Sequence, residues 1–209
     1  MDVSQMEEIT IWCETKKGGK IVERFDSDTT TVNLSDRRIG TIDLSVLNQF
    51  PNLEVLTLSG NEIQSLDLSV LSGNDNLLEL NLGSNELETI DLSPLEDAQN
   101  LMHVDLSFNK LKNIDLTPLG TCKSLKALHL YENRLESIDL AVLSKCKKLR
   151  NLTLNNNSIT SLDFSPLFKC PSLMQLGLDD EVKSRADKKL KEVRPPHALK
   201  SLVSRIEWY

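Results

Sequence analysis

The sequence predicts an α/β solenoid, a coil in which every turn adds one short strand to a parallel β-sheet. The first observation is a fixed 24-residue spacing of anchor leucines, at Leu53, Leu77, Leu101, Leu125, Leu149 and Leu173. A fixed period in this range indicates stacked repeats that share one core. The second is a pair of apolar residues, spaced two apart, that follows each anchor and therefore lies on one strand face. The third is an Asn at a constant distance behind all but the last of these strands.

Residues 1–28 are predicted to form an N-terminal β-hairpin. The segment reads ITIWCET, a KKGGK turn and IVERF. Gly18 and Gly19 supply the positive φ that a tight hairpin turn demands. Because a solenoid has open ends that need a cover, we expect Trp12 or Phe25 to close the first repeat.

Residues 29–181 are predicted to form six full repeats and one partial repeat. In the segment LEVLTLS, Leu56 and Leu58 point inside the coil, whereas Val55 and Thr57 face the opposite way. One repeat buries too little apolar surface to fold alone, so neighbouring turns must pack on each other. The full repeats are 29–52, 53–76, 77–100, 101–124, 125–148 and 149–172, and a seventh begins at Leu173 and fails after Leu178.

A column of asparagines follows the strands, at Asn61, Asn85, Asn109, Asn133 and Asn157. A buried amide is costly unless it is hydrogen-bonded, and an amide side chain both donates and accepts. We therefore expect a ladder that bridges backbone groups of adjacent turns. Arg37 takes this place in the first repeat and marks it as a capping turn.

The convex half of each turn carries Asp-Leu-Ser-Pro-Leu or a close variant. Ser93-Pro94 and Ser165-Pro166 look like N-caps followed by Pro, which predicts a short helix or 3₁₀ segment. We expect the aspartates to accept local backbone N–H groups, and a calcium-binding ladder stays an alternative. These aspartates are Asp43, Asp67, Asp91, Asp115, Asp139 and Asp163.

Three cysteines share one repeat position, at Cys122, Cys146 and Cys170. Phe50 and Ala98 hold that position in earlier turns, so it is a packing position and the thiols are expected to be buried small hydrophobes. Equal 24-residue spacing is not the spacing of a metal knuckle, which weighs against a metal or disulfide reading.

Residues 182–209 are predicted to form a C-terminal helical cap. A short helix over VKSRADKKLKEV would stop at Pro195-Pro196. Beyond it, Leu199, Leu202 and Ile206 would lie on one face of a second helix. The segment holds 8 basic and 3 acidic residues. The alternative is therefore a basic amphipathic element for an acidic partner or a membrane surface.

The repeats resemble those of the leucine-rich repeat family, in its 24-residue, intracellular type. The resemblance covers roughly residues 29–181 and is carried by segments such as LEVLTLSGNEI, LLELNLGSNEL and LMHVDLSFNKL. It implies a right-handed superhelix, a curved horseshoe segment with the parallel sheet on its concave face. It also implies a non-catalytic interaction scaffold that binds a protein or peptide on that face. Some relatives modulate a GTPase or phosphatase, so a regulatory subunit is the alternative.

The charge balance argues against nucleic acid as a partner. Residues 1–181 hold 16 basic and 28 acidic residues, and such an acidic body disfavours phosphates. We expect no membrane span, because no run of 18 apolar residues occurs. The sequence implies no cofactor, and no phosphate loop or nucleophile–base motif indicates an enzyme.

The candidate partner-binding residues are the bulky outward side chains of the fourth and fifth turns. Exposed aromatic residues are the usual anchors of a binding surface. The early turns present small polar residues, so the bulk is concentrated here. The predicted site consists of His103, Asp105, Phe108, His129, Tyr131 and Glu132.

A weaker alternative is a metal-dependent enzyme that uses two His/acid pairs. Neighbouring strands lie about 4.8 Å apart, so His103 is expected beside Glu79 and His129 beside Asp105. Such a group would bind a metal or titrate near neutral pH. A purely structural repeat without a specific guest is a further alternative, although the varied outward residues count against it.

We expect a cytoplasmic monomer. The N-terminal segment MDVSQMEEITIW has acidic residues and no basic region followed by an apolar stretch, unlike a signal peptide. The disulfide-rich caps of secreted relatives are missing from the sequence, which favours a reducing compartment.

Overall fold

A computed structural model describes residues 7–209, so the first six residues of the predicted N-terminal hairpin lie outside the described part of the chain. The described chain winds into a coil of short strands and 3₁₀ segments. Its strands are β1 (Glu8–Thr15), β2 (Lys20–Asp26), β3 (Thr31–Asn33), β4 (Ile39–Ile42), β5 (Val55–Thr57), β6 (Glu79–Asn81), β7 (His103–Asp105), β8 (Ala127–His129), β9 (Asn151–Thr153), β10 (Ser161–Asp163), β11 (Gln175–Gly177), β12 (Lys183–Ala186) and β13 (Glu207–Trp208).

One face of the coil is a parallel sheet of 7 strands in the order β11-β9-β8-β7-β6-β5-β3. Equivalent residues of successive repeats pair, as in Val55 with Glu79 and Glu79 with His103. The central residue of each strand points inward, and Leu56 and Leu80 are 0% exposed. The predicted α/β solenoid with its parallel sheet is therefore confirmed, and it places the residues between the leucines on the outer surface of the sheet.

The asparagine column forms the predicted ladder between turns. Asn109 Oδ1 accepts from the N–H of Leu87 at 2.9 Å, and its amide donates to the carbonyls of Leu82 at 3.0 Å and Leu106 at 3.1 Å. Leu82 and Leu87 belong to the preceding turn, so each amide joins two turns. The same contacts recur at the other members of the column, from Asn61 to Asn157.

The convex side consists of 3₁₀ segments, and between residues 7 and 209 the structure contains no α-helix. In that range no helix has both the length and the apolar character needed to cross a bilayer. Nine residues lie between each aspartate and the anchor leucine of the next turn, as between Asp91 and Leu101, which leaves room for a short 3₁₀ segment but little for a stable α-helix. The segments are Leu44–Gln49, Ser69–Leu71, Ser93–Leu95, Thr117–Thr121, Ala141–Lys145, Ser165–Lys169, Lys188–Leu190, His197–Leu199 and Val203–Arg205.

The aspartates, not the serines, cap these segments by accepting hydrogen bonds from their first N–H groups. Ser93 and Ser165 make no side-chain cap; instead, Asp91 and Asp163 each accept from the serine N–H at 2.8 Å. The other aspartates do the same. The backbone hydrogen bond from Ser45 holds the pKa of Asp43 below its usual range. The aspartate column therefore has the local role expected for it.

The three stacked cysteines are free and fully buried, as the packing interpretation predicts. The Cys170 thiol donates to the carbonyl of Leu143 in the preceding turn at 3.2 Å, and Cys146 contacts Leu119 in the same way at 3.5 Å. Burial raises the pKa of Cys122 and of Cys170 to about 11. These thiols pack the coil and are poorly suited to act as nucleophiles.

At the N-terminal end, β1 pairs antiparallel with both β2 and β4. Phe25 meets Phe50 of the first turn edge-on at 6.1 Å, whereas Trp12 is 62% exposed and faces away from the core. Lys16 from the hairpin pairs with Glu86, which also accepts from Lys110 at 2.6 Å. Hydrogen bonds from Lys110 and Lys16 lower the pKa of Glu86 to about 2. Of the two aromatic residues expected to close the first repeat, Phe25 makes the contact.

At the C-terminal end, the chain continues the coil where helices were expected. β12 lies parallel beside β10, with Leu162 opposite Ser184, and β13 lies beside β12. This pairing joins residues 22 positions apart, two fewer than in the preceding turns. The shorter step puts Ser184 and Ala186 into the core, at 6% and 0% exposure. The α-helices expected in residues 182–209 do not form: strand pairing takes the two ends of this range, and between them the helical pattern yields only the short 3₁₀ segments Lys188–Leu190, His197–Leu199 and Val203–Arg205.

Asp187 repeats the local contact of the aspartate column in this seventh turn, although in space it lies beside Ser165 and Asp163 pairs with Arg185. It follows Asp163 by 24 residues and accepts the N–H of Lys189 at 2.9 Å. The hydroxyl of Tyr209 donates to Asp163 Oδ2 at 2.9 Å, which attaches the last residue to the sixth turn. The turn was hidden in the sequence because its leucine spacing is interrupted.

We expect replacement of a ladder asparagine to destabilise the coil strongly. Asn109→Ala leaves the N–H of Leu87 without a partner in the core. It also removes one of the two amide donors from the carbonyls of Leu82 and Leu106, which keep the amides of Asn85 and Asn133. The change should lower the free energy of unfolding by about 1–3 kcal/mol. Asn113→Ala, at an exposed position of the same turn, should change it by less than about 0.5 kcal/mol. Urea denaturation measures both, and equal effects would contradict the ladder's role.

Candidate partner-binding surface on the concave sheet

The six residues predicted to bind a partner lie on the outer face of the concave sheet, near β7 and β8. We call them the concave patch: His103, Asp105, Phe108, His129, Tyr131 and Glu132. None of the six is classed as buried. His103 and Asp105 lie on β7 and His129 on β8, and the other three follow the carboxyl ends of these strands. The patch is therefore an accessible surface built on a packed scaffold.

The strand register places a carboxylate beside each histidine of the patch, as predicted. Asp105 pairs with His129 across β7 and β8, and His103 pairs with Glu79 across β6 and β7. His129 Nδ1 lies 3.0 Å from the hydroxyl of Thr153 on β9. This contact fixes the orientation of the imidazole on the sheet.

Three rings of the patch lie together. Phe108 and Tyr131 meet edge to face, with ring centroids 5.0 Å apart and planes at 75°. The ring of His129 lies 6.5 Å from that of Tyr131, again nearly perpendicular. Such aromatic pairs stabilise by about 0.5–1.5 kcal/mol beyond their area burial. Because Phe108 is still 47% exposed, the rings form a raised apolar area rather than part of the core.

Two carboxylates border the rings and are held in place by neighbours. Asp105 Oδ1 accepts from the N–H of Ser107 at 2.8 Å and from its hydroxyl at 2.6 Å. Glu132 Oε1 accepts from the amide of Asn156 in the next turn at 2.8 Å. The second oxygen of each carboxylate can accept a hydrogen bond from a partner. The patch therefore combines an apolar centre with hydrogen-bond acceptors at its border.

The backbone of Phe108 has a conformation that is costly for a bulky residue. Its φ is 51°, and Glu132, in the next turn, has a φ of 55°. The left-handed region costs a residue other than Gly, Asn or Asp about 1–2 kcal/mol. Equivalent positions hold residues that suit it better, namely Asp36, Gly60 and Asn156. The coil imposes this geometry on every turn, and a Phe there displays its side chain at an energetic cost.

Sequence reasoning missed the residues that support the patch. Ser107, Thr153 and Asn156 orient Asp105, His129 and Glu132, respectively. The left-handed position just before the ladder position of each turn was visible in the sequence, because most turns have Asp, Gly, Ser or Asn there. At that position Phe and Glu stand out, and this signal could have identified Phe108.

His103 lies apart from the ring cluster. It stands two residues before Asp105 on β7, beside Ala127 rather than beside an aromatic ring. Within residues 7–209, no group of three or more His, Cys, Asp and Glu side chains is arranged to hold a metal ion. Glu79 and Asp105 pair with the two histidines one to one along the sheet.

Comparison with known proteins matches the chain to one protein family. The family model described as "Leucine rich repeat" matches residues 28–87, 51–97, 99–159 and 123–182. No curated protein matches the chain. The matched ranges together cover most of the sequence.

Solved structures with the same fold are distant in sequence. An internalin from Listeria monocytogenes is 23% identical with a TM-score of 0.60, and the match covers 79% of this chain and 51% of that one. A leucine-rich repeat protein from Leptospira interrogans is 20% identical with a TM-score of 0.69, covering 86% and 48%. A plant peptide hormone receptor, solved in complex with RGF2, is 20% identical with a TM-score of 0.67, covering 78% and 26%. The chain spans about half or less of the length of these proteins.

Two substitutions of Phe108 should separate backbone strain from ring contacts. Both Asn and Val remove the contact with Tyr131, but only Asn tolerates the left-handed backbone, and a β-branched residue is an outlier there. We expect Phe108→Asn to leave the free energy of unfolding within about 1 kcal/mol of wild type, and Phe108→Val to lie about 1–2 kcal/mol lower. Denaturation measures both, and equal values for Asn and Val would contradict a strained backbone at Phe108.

Proposed function

Because this chain belongs to the leucine-rich repeat family, whose domains are general protein-interaction modules, we propose that it is a non-catalytic binding module. Its concave patch holds a protein or peptide partner. The aromatic rings of Phe108 and Tyr131 supply the apolar anchor, and Asp105, His129 and Glu132 supply the polar contacts around it.

The observation that carries this proposal is the exposed, left-handed Phe108. A residue that costs about 1–2 kcal/mol in its backbone is not explained by folding stability. Nor is it explained by burial, since the ring stays 47% exposed. A partner that covers the ring offsets this cost, because burying a Phe side chain contributes about 1.5–3 kcal/mol.

The dimensions of the sheet favour a small partner. Seven strands at about 4.8 Å spacing give a surface roughly 30 Å long, and the concave patch occupies only its central turns. A peptide, a helix or one small domain matches this area. The plant peptide hormone receptor, solved in complex with RGF2, offers a precedent on the same fold.

Two further predictions accompany this proposal. A partner that is itself a GTPase or a phosphatase would make the chain a regulatory subunit, and identification of the partner decides this.

We also propose that the protein is a cytoplasmic monomer. Its four cysteines are all free and buried, which is compatible with a reducing compartment.

Removal of the rings should abolish partner binding without unfolding the coil. We expect a Phe108→Asn/Tyr131→Ala double variant to lose at least about tenfold in affinity, because central aromatic anchors carry about 2 kcal/mol or more. Affinity capture from native lysate, quantified by mass spectrometry, identifies proteins retained by wild type and lost by the variant. Calorimetry with the purified partner then measures the change in Kd.

The matched control is a change at exposed positions of the same turns outside the strands. Lys112 and Glu136 are exposed and belong to no strand, so a Lys112→Ala/Glu136→Ala variant should retain the partner. Thermal melting confirms that both double variants are folded. Retention of every captured protein by the Phe108/Tyr131 variant would show that the concave patch is not the binding surface.

A further inference from the structure

A second surface of the coil carries a dense group of cations. It lies where the 3₁₀ segments of the fourth to sixth turns lead into the next strands, at the amino ends of β8, β9 and β11. The concave patch lies mainly toward the carboxyl ends of the strands, so the two surfaces are distinct. We call this group the basic edge: Lys123, Lys126, Lys145, Lys147, Lys148, Arg150 and Lys169. All seven are exposed except Lys126, which is half-buried.

Contacts between turns show that the basic edge is continuous. Lys123 Nζ donates to the carbonyl of Gly120 at 3.2 Å. Lys145 of the next turn packs over the same glycine, and its Nζ is 3.8 Å from the place that a Cβ would take there. Lys147 Nζ in turn donates to the carbonyl of Lys169 at 2.8 Å. Four ammonium groups are thus gathered over three successive turns.

The cations of the basic edge lack carboxylate partners. The ion pairs among residues 7–209 involve other side chains, such as Lys16 and Lys110 with Glu86 and Arg37 with Glu23. Like charges at this spacing repel one another, and they do so in a chain whose net charge is −7. The basic edge is therefore a positively charged surface on a protein that is acidic as a whole.

The repeat itself does not require these lysines. The position of Lys123 and Lys147 holds Asp75 and Gln99 in earlier turns, and that of Lys145 and Lys169 holds Gly73 and Asp97. Those turns fold in the same way with acidic or neutral residues. Cations near the last carbonyls of a 3₁₀ segment are mildly favourable, but this benefit would apply equally to every turn. The restriction to three turns indicates a role other than folding.

We propose that the basic edge binds an acidic polypeptide segment. The edge is about 15 Å across in each direction, from the strand spacing and the rise per residue, which matches about five extended residues. A short chain of Asp and Glu places its carboxylates against the ammonium groups without approaching the acidic surfaces around them. A bilayer or a nucleic acid is larger than the edge and meets the remaining negative charge of the body.

The test uses the 209-residue chain and a fluorescein-labelled peptide of eight glutamates. We expect saturable binding at about 50 mM salt that weakens at least tenfold at about 300 mM, because the contacts are exposed charge pairs. A Lys123→Glu/Lys147→Glu/Lys169→Glu variant should bind at least tenfold more weakly. NMR shift mapping on the wild-type protein should place the peptide at the basic edge, which keeps the test valid if the variant is unstable.

The matched control changes three exposed lysines elsewhere and gives the same net charge. Lys17→Glu/Lys112→Glu/Lys200→Glu should bind the peptide within about twofold of wild type, because it changes the net charge of the protein but leaves the basic edge intact. Equal weakening in both triple variants, or shift changes spread over the surface, would overturn the proposal. Stronger binding of phosphatidylserine vesicles or of a DNA oligonucleotide at the same edge would overturn the choice of an acidic polypeptide.

Discussion

The hydrogen-bonded asparagine ladder is the interaction on which the rest of the structure depends. Each amide accepts one N–H and donates to a carbonyl of the preceding turn while also donating to a carbonyl of its own turn. It thereby satisfies backbone groups at the point where the chain leaves the sheet, where neither sheet nor helix bonds are available. The ladder fixes both the spacing of the turns and the left-handed residue just before each asparagine. Leucine packing supplies the bulk of the stability, but it does not set this geometry.

The repeated geometry separates residues that build the coil from residues that vary freely. Leucines, asparagines, aspartates and stacked cysteines are in constant columns and have inward or local contacts. The side chains of the outward strand residues, and of the left-handed residue before each asparagine, take no part in these contacts. Their chemistry can therefore change from turn to turn. Phe108 tolerates an unfavourable φ because the ladder holds the backbone on both sides. The basic edge uses a third set of variable positions, on the other side of the strands.

The sequence predicted the features that recur in every repeat and missed those that occur only once. Leucine spacing predicted the parallel sheet, its register and the pairing of Asp105 with His129, because one rule applies to every turn. The C-terminal turn was missed because its strand pairing is two residues shorter, which hid Ser184 and Ala186 from a 24-residue comparison. Asp187 follows Asp163 by 24 residues, so that comparison could have found it. The six residues of the concave patch were predictable as outward positions, but the ring contact of Phe108 with Tyr131 and the strained φ are properties of three-dimensional structure.

Native-state hydrogen exchange tests the central role of the ladder most directly. The N–H groups of Leu87, Leu111 and Leu135 each donate to a ladder asparagine of the following turn. If the ladder joins the turns into one cooperative unit, these three N–H groups should exchange with a common free energy, equal to that of global unfolding. Exchange of one of them at a free energy several kcal/mol below the others would contradict the account, because it would show a turn opening independently of its neighbours.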